Sequence, residues 1–108
     1  MEVIERATMP NGIEIQLENW RENNTPEYPD LYGLVIAAYP VAQRSSGYWI
    51  KGGEKFRLHI STNRYLGYTN EMVKADFDAL KSGEKRLEDL SEHFWNGKKD
   101  AYILGMNI

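Results

Sequence analysis

Five basic side chains, Arg44, Lys51, Lys55, Arg57 and Arg64, crowd the stretch from Arg44 to Tyr68, interleaved with Tyr48, Trp49, Phe56, Tyr65 and Tyr68 and opposed by the single acid Glu54. Cationic side chains neutralise phosphates and aromatic faces stack on unpaired bases, so this mixture has the chemistry of a nucleic-acid surface. It suits an acidic protein surface equally well. The stretch carries about +4, whereas residues 1–42 carry about −5 and residues 69–108 about −2, giving a polarised chain with a formal net charge of −3. Polarisation of this kind governs association rates and the choice of partner, and specifies no reaction. Trp20, which follows a polar run at the edge of an element, is a further candidate binding anchor, as is Trp95.

Other chemistries find little support. His59 and His93 are the two histidines, the first expected on an exposed strand face and the second beside Glu92 on a helix, where neighbours point about 100° apart and cannot close on one ion. No metal site is expected. Gly47 and Gly52 have the separation of a phosphate-binding loop, but Gly53-Glu54 stand where a lysine and a hydroxyl residue are needed. Glu14 and Glu18 flank Gln16 on the expected polar face of a strand, and Glu88, Asp89 and Glu92 form an acidic helix surface; both read as solvated charge rather than an acid–base pair. The chain has no cysteine and no serine in a nucleophile elbow. The expectation is a non-enzymatic protein with no cofactor.

With 108 residues and 42% hydrophobic side chains, the chain is long enough to bury one core, and residues 1–108 are expected to form a single domain. Absence of cysteine fits a reducing compartment. No apolar run approaches the ~18 residues of a membrane span, and Met1-Glu2-Val3-Ile4-Glu5-Arg6 lacks the pattern of a signal peptide, so a cytoplasmic location off the membrane is expected.

The elements that must position these residues follow from periodicity. Ile13, Ile15 and Leu17 alternate with Glu14, Gln16 and Glu18, the period of a half-buried strand, and Pro10-Asn11-Gly12 supplies a bulged turn back to a partner strand over Val3 to Thr8. The segment from Trp20 to Asp30, with Pro26 and Pro29 and no periodicity, reads as a loop. Leu34 to Ala38 is a continuous apolar run, suited to a central strand covered on both faces. Tyr48 to Lys51 and Glu54 to Ser61 flank Gly52-Gly53 as a second hairpin, with Phe56, Leu58 and Ile60 on one face and Arg57, His59 and Ser61 on the other. Thr69 caps a helix carrying Val73, Phe77 and Leu80 and stopped by Gly83; a second short helix carries Leu87, Leu90 and Phe94 and ends at Asn96-Gly97, and Tyr102-Ile103-Leu104 reads as a last strand. The fold class is α+β: an antiparallel sheet of about five or six strands with two short helices packed on one face. The second face, apolar at Val35 and Ala37, needs a cover. Either the loop with Trp20, Tyr28 and Leu31 folds across it, or a partner or a second copy of the chain does.

Asn11-Gly12-Ile13 leading into Gln16-Leu17-Glu18-Asn19-Trp20, then Gly53-Glu54-Lys55-Phe56-Arg57, then Leu80-Lys81-Ser82-Gly83 with Leu87-Glu88-Asp89, resemble small accessory proteins carried by conjugative elements and phages of Gram-positive bacteria. The resemblance implies an accessory role exerted by binding, including inhibition of host defence enzymes. Absence of catalytic geometry, the two-sided apolar central strand and the charge polarisation make the leading expectation a small interaction protein that docks on a protein partner and can pair with itself through the open sheet face. The alternative is a nucleic-acid binder using residues 44–68.

Overall fold

The computed structural model describes residues 1–43, 49–51 and 57–95. Strands β1 (Glu2–Thr8), β2 (Glu14–Asn19), β3 (Leu34–Ala38), β4 (Pro40–Gln43), β5 (Trp49–Lys51), β6 (Leu58–Ser61) and β7 (Phe94–Trp95) accompany one α-helix, α1 (Asn70–Ser82). A 3-10 helix spans Leu87–His93, and single 3-10 turns form at Arg21–Asn23 and Arg64–Leu66. The main sheet runs β1-β2-β3-β6-β7, antiparallel throughout, and β4 pairs with β5 separately. Its weight rests on the four strands β1, β2, β3 and β6, with the two-residue β7 at the edge. The α+β class holds, and the expectation of five or six strands slightly overstates the sheet. The turn expected at Gly52-Gly53, the helix end at Asn96-Gly97 and the strand at Tyr102–Leu104 lie outside the described residues.

The first hairpin forms as its sequence dictates. Gly12 adopts φ +92° and donates its N–H to Met9 O at 2.9 Å, while Met9 N–H donates to Ile13 O at 2.8 Å, so the bulged turn falls where Pro10-Asn11-Gly12 placed it. The pairing aligns Leu17 with Ile36, Ile36 with Ile60, and Ile60 with Phe94, a continuous apolar row across four strands. Helix α1 lays Val73, Phe77 and Leu80 over that face against β2 and β3, and the 3-10 helix adds Leu87 and Leu90 beside β6. The second helix was expected on the spacing of Leu87, Leu90 and Phe94. It is a 3-10 helix, whose three-residue turn brings Leu87 and Leu90 onto one line and leaves Phe94 to start β7.

Capping sets the limits of α1. Thr69 Oγ1 accepts the Met72 N–H at 3.2 Å, and Gly83 closes the helix at φ +85° by donating its N–H to Leu80 O at 3.3 Å. On the second face, Val35 and Ala37 are buried, so the central strand offers no open apolar surface. Tyr28 and Leu31 are exposed and do not fold across it, but Trp20 does, its ring meeting that of His59 edge-on at 5.5 Å.

Two substitutions test the helix limits. Thr69→Ala removes the cap and is expected to cost about 1 kcal/mol. Gly83→Ala is expected to cost about 1–2 kcal/mol, because a side chain is strained at positive φ and its Cβ would lie 2.9 Å from Pro10 Cγ. Urea denaturation monitored by circular dichroism reads both; unchanged midpoints would contradict the assigned caps.

Candidate functional site

The second sheet face carries a buried polar network in place of the solvated charges expected there. Glu18 is 0% exposed and accepts from Gln16 Nε2 at 2.5 Å, from the Trp20 indole N–H at 2.9 Å, and from the Arg57 guanidinium at both carboxylate oxygens, the Oε2 contact being 2.6 Å. Arg57 also donates its Nε–H to His59 Nε2 at 2.6 Å and lies 5.8 Å from the centre of the Tyr39 ring. Register explains the convergence: Ala37 sits between Gln16 and His59, a small residue among large polar ones. The alternation of Leu58 and Ile60 against Arg57 and His59 is as expected, but the second set is not a wet surface. Sequence period assigns a side chain to a face and does not say whether water reaches that face. Glu18 and His59, expected to be exposed, are buried for this reason.

Of the candidate binding residues, Arg57 is thus committed to an internal ion pair, and Trp20 to Glu18 and His59. Arg44, Tyr48 and Lys55 lie outside the described residues, and Trp49 and Lys51 are placed only as backbone in β5. Arg64 and Tyr65 do stand at the surface together. Tyr65 is 83% exposed, with the Arg64 guanidinium 5.3 Å from its ring centre and Arg64 Nη2 donating to its hydroxyl at 3.4 Å.

This pair stands on one wall of an open cleft of about 680 Å³ between the loop of residues 20–33 and the segment of residues 61–71. Both walls are held by side-chain amides bonded to backbone. Asn24 accepts the Tyr32 N–H at 2.6 Å and donates to Tyr32 O at 2.9 Å, pinning the loop across its middle, while Trp20 N–H closes its base on Gly33 O at 3.0 Å. Opposite, Asn63 Oδ1 accepts the Tyr65 N–H at 2.9 Å, and Gly67 at φ +65° returns the chain so that Tyr68 N–H donates to Asn63 O at 2.9 Å. Asn70 Oδ1 ties the walls together by accepting the Leu34 N–H at 2.9 Å. Gly33 admits this bond, since a Cβ there would run into the Asn70 amide and lie 3.0 Å from Thr62 Oγ1. None of these asparagines stood out in the sequence. The signals present were Asn63 four residues before Gly67, which marks a capped turn, and the unpatterned Asn23-Asn24 of the loop.

Behind the cleft lies a second polar cluster. Tyr68, a stacking candidate in the basic stretch, is buried; its hydroxyl donates to Asp76 Oδ2 at 2.6 Å, and Lys85 Nζ donates to Asp76 Oδ1 at 2.6 Å. His93, expected at the surface, lies flat against the Tyr68 ring at 3.6 Å between centres. Burial first, and then the bond to Asp76, push the Tyr68 phenol well above its ordinary value of 10.0. Lys85 is also raised, chiefly by its bond to Asp76. Among the described residues, no three His, Asp or Glu side chains gather as metal ligands, and no helix is long and apolar enough to cross a membrane. The cleft lining carries the aromatic rings of Tyr32, Tyr65 and Tyr68, the guanidinium groups of Arg21 and Arg64 and the carboxylates of Asp30 and Glu71. No family model matches the chain, and neither a curated protein nor a solved structure matches it.

Glu18→Ala strands Arg57 in a buried setting and is expected to cost about 3 kcal/mol, whereas replacing both Glu18 and Arg57 by Met is expected to cost less. Chemical denaturation of the two variants reads this; a double variant as unstable as the single one would contradict it. Because the folded-state value of Tyr68 is raised, its contribution to stability is complete below pH 10.0 and is lost as pH rises beyond that. In a tyrosinate absorbance titration, at least one of the seven tyrosines should ionise only on unfolding, and that late step should disappear in Tyr68→Phe.

Proposed function

We propose that this chain is a small protein-binding module that docks a partner in the cleft between residues 20–33 and 61–71. The carrying observation is where the exposed large side chains fall. Leu31 and Tyr65 line the cleft, and Tyr28, Leu66 and Met72 each stand next in sequence to a lining residue; the other two exposed large apolar side chains among the described residues, Met1 and Ile4, lie on β1 and just before it. A monomer gains nothing by leaving aromatic and aliphatic groups in water around one concavity, while tyrosine and arginine are the side chains that dominate binding energy at interfaces. The amide bonds of Asn24, Asn63 and Asn70 support the same reading, because a surface ordered beforehand loses less entropy on binding.

The module acts by binding rather than by catalysis and works in the cytoplasm. Its resemblance to accessory proteins of mobile elements favours inhibition of a host enzyme as the form that binding takes. Commitment of Arg57 to Glu18 removes one of the cations a phosphate backbone would use, which weighs against the nucleic-acid alternative.

The reading is tested by affinity capture from the host that encodes the chain, using wild-type, Tyr65→Ala and Leu66→Asp baits with nuclease-treated and untreated lysate. Both residues are exposed, so the melting temperatures of the variants should match wild type. The expected result is a protein retained by wild type and reduced at least about tenfold by both variants, regardless of nuclease. The same proteins on all three baits, or recovery lost on nuclease treatment, would contradict docking at this cleft.

A further inference from the structure

We infer that the segment received by the cleft is acidic: an extended stretch of the partner protein that presents one carboxylate side chain to Arg21 and Arg64, flanked by apolar residues. The inference rests on the docking reading above and adds the chemistry of the occupant. It comes from the pattern of internal ion pairs. Arg57 meets Glu18, Lys74 meets Asp78, Lys81 meets Glu5, Lys85 meets Asp76 and Arg86 meets Glu88. With 16 acidic against 13 basic side chains, the chain has carboxylates to spare. Yet among the described residues Arg6, Arg21 and Arg64 have no carboxylate within ion-pair distance, and two of these three line the same cleft, on its two walls.

Arg64 is also oriented for the task. Its guanidinium is held against the Tyr65 ring and hydroxyl, and a planar cation restrained on an aromatic keeps N–H edges for bidentate bonding to a carboxylate. Asp30 and Glu71 line the cleft as well. Asp30 lies near enough to act on Arg64 without pairing with it, and the two carboxylates limit the charge the cleft accepts: a polyanion meets both of them and a net charge of −3, whereas a single carboxylate meets less repulsion. Leu31, exposed on the loop wall, offers apolar contact inside the cleft, and Leu66 is exposed beside the lining residues Tyr65 and Gly67.

A phage-displayed library of random dodecapeptides, panned on the full chain, supplies the probes, and fluorescence anisotropy measures the enriched peptides. They are expected to require Tyr65, to share an Asp or Glu at a fixed position beside apolar residues, and to lose at least about tenfold in affinity on Arg64→Glu and on Arg21→Glu. Arg6→Glu, away from the cleft, should leave affinity unchanged. A peptide in which the shared acid is replaced by Lys should recover binding to Arg64→Glu, which a merely misfolded variant cannot do. Peptides that need Tyr65 but carry no common acid, or that ignore both charge reversals, would overturn the carboxylate while leaving the docking reading intact. Enrichment of no peptide that depends on Tyr65 would overturn both.

Discussion

A carboxylate with no exposure to water, placed in the second strand of a sheet, constrains much of what surrounds it. A carboxylate taken out of water needs donors, and four hydrogen bonds from Gln16, Trp20 and Arg57 converge on Glu18. Each donor is thereby fixed. Arg57 is drawn from the expected basic surface into the interior, where it also holds His59. Trp20 is drawn down onto the sheet, which sets the point where the 20–33 loop departs and hence the position of one wall of the cleft. Hydrophobic burial on the opposite face supplies the bulk of the stability, but the polar face decides the shape of the surface.

Much of the scaffold was legible in the sequence because it follows local rules. Pro10-Asn11-Gly12 turns where its backbone preferences require, Leu34 to Ala38 is the middle strand because only a strand covered on both faces tolerates such a run, and Thr69 and Gly83 limit α1 by capping. What failed was inference from alternation to exposure. Glu18, Arg57 and His59 alternate with apolar neighbours as surface residues do, and only the tertiary arrangement makes them partners. The 3-10 form of Leu87–His93 was equally hidden, since Leu87 and Leu90 are spaced three apart in either helix type.

The site was legible only in part. Arg64 and Tyr65 were singled out by their types and are indeed presented together, but the basic stretch does not act as one surface within the described residues, because Arg57 turns inward. The opposite wall is the loop of residues 20–33, whose sequence marks it only as an unpatterned segment and a candidate cover for the sheet. Asn24 and Asn63 work there by mimicking backbone groups, a role that depends on which chain segment lies within about 3 Å and so leaves no periodic trace. Such amide–backbone bonds hold both walls while Tyr65 stays exposed.

Preformation of the cleft in the free protein is the claim on which this account depends most, and amide hydrogen exchange followed residue by residue by NMR tests it directly. The amides of Tyr32, Leu34, Tyr65 and Tyr68 donate to Asn24, Asn70 and Asn63, and should exchange at least about a hundredfold more slowly than in an unstructured chain. Exchange of these four at unstructured rates, while the core strands stay protected, would mean that the walls are not held before binding and would contradict the account.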